Sequence, residues 1–120
     1  MFKYHNANPN KETLPDCVIR AIHTALDIPY YKVVTMLYDI GDFYECDELC
    51  VSCYEKLLDN HFKLSHYNGC DYPIKDVVND HKNNILIIRT EGHLTCSLYG
   101  IVLDLWDCTN EKCTDFWIVE

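Results

Sequence analysis

Pro15-Asp16-Cys17-Val18-Ile19-Arg20-Ala21-Ile22 sets a cysteine at the threshold of an amphipathic helix. Val18, Ala21, Ile22, Ala25 and Leu26 recur at the spacing of one buried helical face, which predicts a helix over residues 16–26. Proline is tolerated just before a helix start, and Asp16 is placed to cap the free amides of the first turn. A thiol attacks only as thiolate, and the positive end of a helix lowers its ordinary pKa of about 8.5. Cys17 is therefore the candidate nucleophile, with a small core cysteine as the plain alternative.

Beyond that helix, Asp27-Ile28-Pro29 breaks the pattern and starts a second helix over 30–38, with Val33, Val34, Leu37 and Tyr38 as its apolar stripe. Asp39-Ile40-Gly41-Asp42 is expected to end it. A third helix is expected over 47–60, with Leu49, Cys53 and Leu57 inward, and a fourth over 74–80, just after Pro73. Residues 2–4 read as an extended start, 6–13 as a polar loop and 62–64 as a short strand.

The last third has strand character. Ile85-Leu86-Ile87-Ile88 is a buried strand bounded by Asn83-Asn84 and Glu91-Gly92. Residues 93–99 and 101–107 form two arms about Tyr99-Gly100, and 114–119 close the sheet. Helices first and strands afterwards is the pattern of an α+β domain, here one domain over residues 1–120 with helices packed on a C-terminal antiparallel sheet.

A second catalytic group comes from that hairpin. Of the six histidines, His93 opens a strand after Gly92, where a side chain can face a cleft. A two-residue turn at Tyr99-Gly100 sets Leu98 opposite Ile101 and puts His93, Thr95, Asp104 and Trp106 on one face of the ribbon. Asp104 is then diagonal to His93 and placed to orient its ring, with Trp106 covering the pair. A slip of one residue would give Asp107 that role instead.

The segments Asp16-Cys17-Val18-Ile19-Arg20-Ala21-Ile22, Gly92-His93-Leu94-Thr95 and Asp104-Leu105-Trp106-Asp107-Cys108 resemble the papain-like cysteine peptidase superfamily, over about Leu14 to Val119. Asp104-Leu105-Trp106 looks like its Asn-x-Trp motif with aspartate in place of asparagine. The same segments resemble small papain-fold proteins of phages and Gram-positive bacteria. The resemblance implies a papain-like fold, with Cys17 as nucleophile, His93 as base and Asp104 as orienting acid. It implies cleavage of a peptide, isopeptide or related amide through a thioester, without a cofactor. The glutamine that papain relatives place about six residues before the cysteine is missing: Lys11 stands there, beside Asn10, and these two are the candidate oxyanion donors. Loss of one such donor costs about two to three orders of magnitude in rate.

Composition narrows the partners. Nineteen acidic residues against 10 basic give a net charge of −9, the wrong balance for a chain that must neutralise phosphates. No apolar run approaches the roughly 20 residues of a membrane span, and the N-terminus does not read as a secretory signal, so a cytoplasmic location, of bacterium or host, is expected. The eight cysteines are then expected as thiols. Cys46, Cys50 and Cys53 share a helical face, and with Cys70, His61 or His66 they compose an alternative tetrahedral zinc site. Cys108 and Cys113 form a looser pair. Three functions follow: a cysteine hydrolase acting on a peptide or protein substrate, a catalytically weak papain-fold protein that binds a host partner, and a zinc-stapled binding module.

Overall fold

The apolar stripes fold the chain onto one twisted sheet. The structure, a computed structural model, describes residues 1–13, 15–47 and 49–119; position 14, where the family resemblance begins, and position 48, inside the expected third helix, lie outside them. Among the described residues there are four α-helices: α1 (Cys17–Leu26), α2 (Tyr30–Tyr44), α3 (Val51–Lys56), which continues as a π-helical turn over Leu57–His61, and α4 (Ile74–Asp80). Six strands, β1 (Phe2–Tyr4), β2 (Ser65–Asn68), β3 (Ile85–Thr90), β4 (His93–Leu98), β5 (Ile101–Asp104) and β6 (Asp115–Ile118), form one sheet in the order β1-β5-β4-β3-β6-β2.

The α+β class holds, but the sheet is mixed rather than wholly antiparallel. The N-terminal strand β1 runs parallel to β5 and pairs Tyr4 with Asp104, while the other neighbours are antiparallel. A three-residue strand far from its partner in sequence has no periodicity that announces its direction. The β4–β5 turn has the expected register, with Leu98 opposite Ile101 and Ser97 opposite Val102. Tyr99 and Gly100 both take positive φ, as a two-residue hairpin turn requires.

Two apolar layers cover the sheet. On one face α1 and α2 bury Ile22, Val33 and Leu37 against Leu94, Cys96, Ile87 and Trp117. On the other, Ile74, Val77 and Val78 of α4 pack with Leu86, Ile88, Val102 and Phe116. Several expected boundaries move. Helix α2 runs through 39–42 to Tyr44, because Val33, Leu37 and Gly41 form one buried stripe at four-residue spacing. It ends where Glu45 turns left-handed, at φ 55°. Helix α3 begins only at Val51, after Cys50 in extended conformation. The strand expected at 62–64 lies at Ser65–Asn68, since Lys63 takes φ 55° and interrupts the extended run.

Candidate active site

Helix α1 packs against β4, and this brings the N-terminus of the helix to the start of the strand. Cys17 and His93 thus meet from opposite ends of the chain, and both line one cleft. His93 Nε2 lies 2.7 Å from Asp104 Oδ2. With Nε2 so engaged, Nδ1 is the ring nitrogen left for the Cys17 thiol. The Trp106 ring lies 5.1 Å from the imidazole, tilted by 45°, and is itself 45 % exposed, so it covers the ring as a lid rather than as core.

The electrostatics of the three groups agree with that geometry. Burial disfavours a charged His93, but hydrogen bonds with Asp104, Cys108 and Cys17, and the Asp104 charge, outweigh it and raise the imidazole to about 11. Burial likewise opposes a charged Asp104, yet the His93 hydrogen bond, the Leu105 amide and the His93 charge hold the carboxyl down to about 2. For Cys17, burial pushes the thiol up, and the His93 hydrogen bond, the Leu94 backbone and the charges of His93 and Arg20 bring it below its ordinary value. The result favours a thiolate beside an imidazolium, the reactive form of a cysteine nucleophile.

The acid has a support that sequence reasoning overlooked. Arg20, buried on α1, donates from Nη1 to Asp104 Oδ1 at 3.0 Å and from Nε to Asp16 Oδ1 at 2.7 Å. The other Asp16 oxygen accepts from the Tyr30 hydroxyl at 2.6 Å and from Asn8 Nδ2 at 3.1 Å. Asp16 therefore makes no side-chain cap on α1, contrary to expectation, because its carboxylate is committed to Arg20, Tyr30 and Asn8. Asp16, the neighbour of Cys17, and Asp104 are thereby joined by one guanidinium. The i,i+4 spacing of Asp16 and Arg20 was the available signal, together with a lone arginine on an otherwise apolar helix face.

Cys108 was also overlooked as part of this site. Its buried thiol donates to Asp104 Oδ2 at 3.8 Å, so the looser Cys108–Cys113 pair does not form. The Cys113 thiol instead bonds to the Asp115 carbonyl at 3.4 Å. All eight cysteines are free thiols.

The remaining candidates fall elsewhere. Asp107 is exposed and accepts from the Thr109 amide at 3.0 Å, closing its own turn rather than orienting His93. Asn10 and Lys11 are exposed; Lys11 Nζ donates to the Asn6 carbonyl and the Asn10 amide to Asn8 Oδ1, within the same loop. Neither contact aims a donor at Cys17. What the start of α1 does offer is the amides of Cys17, Val18 and Ile19, which have no acceptor within their own helix.

The zinc cluster is not assembled. Cys46 and Cys50 lie beside each other, with Cys50 also bonded to Ser52, but Cys53 is buried with its thiol on the Leu37 carbonyl and Cys70 lies beside Cys113. Among the described residues, the metal-type triplet is His93, Asp104 and Cys108, whose atoms lie within 4.8 Å of one another. Two light-atom ligands of tetrahedral zinc stand roughly 3.3 Å apart, so the 2.7 Å between Nε2 and Oδ2 fits a shared proton better than an ion.

The pair sets a pH dependence of definite sign. Folding raises His93 from 6.5 to about 11, so its stabilisation is full below about 6.5 and is lost as pH climbs toward 11. Cys17, lowered by folding, contributes in the opposite sense: its stabilisation grows as pH rises toward the unfolded thiol value of about 8.5. Between about pH 6.5 and 8.5 the two oppose each other. Cys17→Ala removes the offset, so its unfolding free energy should fall with pH more steeply than that of the wild type, by up to about 1.4 kcal/mol per pH unit. Urea unfolding at the two ends of that window measures the difference, and equal slopes would show that folding does not ionise Cys17.

Comparison with protein-family models, with curated proteins and with solved structures gave no match to this chain. Among the described residues no helix is long and apolar enough to cross a membrane.

Proposed function

We propose that this protein is a papain-like cysteine hydrolase that cleaves a peptide, isopeptide or related amide bond. Cys17 attacks the carbonyl carbon and forms a thioester. His93 gives its proton to the leaving nitrogen and then takes one from the water that hydrolyses the thioester. Asp104 holds the imidazole by its Nε2, leaving Nδ1 toward the thiol, and the α1 amides are the available donors for the developing oxyanion. The observation that carries this reading is the 2.7 Å His93–Asp104 hydrogen bond in a site where the Cys17 thiol is held below its ordinary pKa.

Iodoacetamide tests it. At pH 6 an ordinary thiol is almost wholly protonated, so Cys17 should be alkylated ahead of the other seven cysteines, including Cys50, whose thiol is itself lowered by its hydrogen bond with Ser52, as read by peptide mass spectrometry. His93→Ala should abolish that lead. Uniform labelling, or a lead that survives His93→Ala, rejects the hydrolase.

A second reading has one observation in its favour. The Lys11 ammonium, at the position of the papain glutamine, is engaged by the Asn6 carbonyl within its own loop, so it does not supply the side-chain donor of papain relatives. A papain-fold protein with a weak oxyanion hole would serve as an interaction module, for example a phage factor that engages a host protein. Selective labelling of Cys17 without turnover of any amide or activated ester is its signature.

A further inference from the structure

The cleft at the reactive pair has a volume of about 350 Å³, and its walls differ from the rest of this acidic surface. Val18 of α1, Leu94 of β4 and Tyr54 of α3 form buried parts of its lining, while Leu49 and Val51 stand at its rim, 37 % and 47 % exposed. Two cations line it and each is already paired: His93 with Asp104 at 2.7 Å, and Arg89 with Glu55 and, at 2.5 Å, with Asp115, its guanidinium lying over the Trp117 ring. An incoming carboxylate therefore meets no uncompensated positive charge, and an incoming ammonium meets an apolar wall.

We infer that this cleft is the specificity subsite of the proposed hydrolase and receives an apolar side chain, of leucine or similar size, next to the scissile carbonyl. The inference rests on the assignment of Cys17 as nucleophile and adds the class of substrate to it. The occupant is a peptide residue, because Cys17 and His93 belong to the same cleft as Leu49 and Val51, and a residue bonded to the reacting carbonyl must lie beside them. Burial of a leucine-sized side chain in place of a methyl group favours binding by roughly tenfold or more. A charged side chain of either sign loses its hydration there without a partner.

Three probes of one reactivity separate the possibilities: acetyl-leucyl, acetyl-alanyl and acetyl-aspartyl chloromethyl ketones. Each alkylates a thiolate as the carbon–sulfur bond forms and chloride leaves. Labelling of Cys17 should be at least ~10-fold faster with the leucyl than with the alanyl probe, and slowest with the aspartyl probe. Leu49→Asn and Val51→Thr, near-isosteric changes at exposed positions, should shrink the leucyl-to-alanyl ratio toward one. Equal rates for the three probes, with Cys17 still selected by iodoacetamide, overturn the subsite and leave the nucleophile standing. Loss of iodoacetamide selectivity overturns the nucleophile, and the subsite with it.

Discussion

Asp104→Asn is expected to cost the proposed hydrolase about 10⁴-fold in turnover, although the papain motif that this position resembles carries asparagine. The reason is Arg20. Oδ1 of Asp104 accepts from both Arg20 Nη1 and the Leu105 amide, whereas Oδ2 faces His93 Nε2. An asparagine must place its single carbonyl oxygen on the side with two donors, which turns its NH₂ toward His93. The imidazole is then held with Nε2 as acceptor and its proton on Nδ1, the wrong tautomer for a base that faces Cys17. A misheld tautomer of this kind costs about four orders of magnitude in a serine triad. The same change removes the negative charge that raises His93, so the pH profile of Cys17 alkylation should move up toward that of an ordinary thiol. Alkylation rates across pH 5–9 measure the shift. An unchanged profile would mean that Asp104 does not set the charge state of the pair.

The second large effect is on stability. Arg20→Met should lower the unfolding free energy by about 3–5 kcal/mol, because it leaves Asp16 and Asp104 buried without their common cation. For a domain of this size that is a fall of roughly 12–20 °C in melting temperature. Arg20→Lys should fall between, since an ammonium keeps the charge but cannot reproduce the forked contact from Nε and Nη1 to two carboxylates. Thermal unfolding followed by circular dichroism decides. A loss below about 1 kcal/mol would show that the pairing is no better than a solvated surface ion pair.

The two networks built on the two arginines have the same logic. Arg89 joins Glu55 to Asp115, and Asp115 also bonds to His66 at 2.8 Å, while His66 stacks on Trp117 at 4.3 Å. The Trp117 indole in turn donates to Asp59 at 2.7 Å. Each guanidinium draws together acids from segments distant in sequence. Such assemblies hold a unique arrangement at the cost of desolvating every member, which is why removal of the single cation is expected to be severe.

How much was legible in the chain depends on whether the signal was local. Helix α1, the burial of Val18, Ala21 and Ile22, and the strand at residues 85–88 follow from periodicity within a dozen residues. The turn at Tyr99-Gly100 set the register that brings His93 and Asp104 within hydrogen-bonding distance, because alternation propagates from a fixed turn. The end of α2 was misread because Gly41 and Asp42 look like a stop, whereas burial of the Val33, Leu37 and Gly41 stripe carries the helix on. The direction of β1, the shift of β2 past Lys63 and the scattering of Cys50, Cys53 and Cys70 had no local signature at all.

The candidate site divides along the same line. By itself the sequence determined a cysteine at a helix start, a histidine at the mouth of a hairpin, and an acid two turns of alternation away. Those placements depend on short-range geometry, which a few residues of pattern specify. Only the tertiary structure decided that Asp107 turns outward, that the Lys11 ammonium is engaged within its own loop, and that Arg20 ties Asp16 to Asp104. These are outcomes of competition among many polar groups for few partners. Which donor meets which acceptor is settled by desolvation and proximity across the whole fold, and no stretch of sequence encodes it alone.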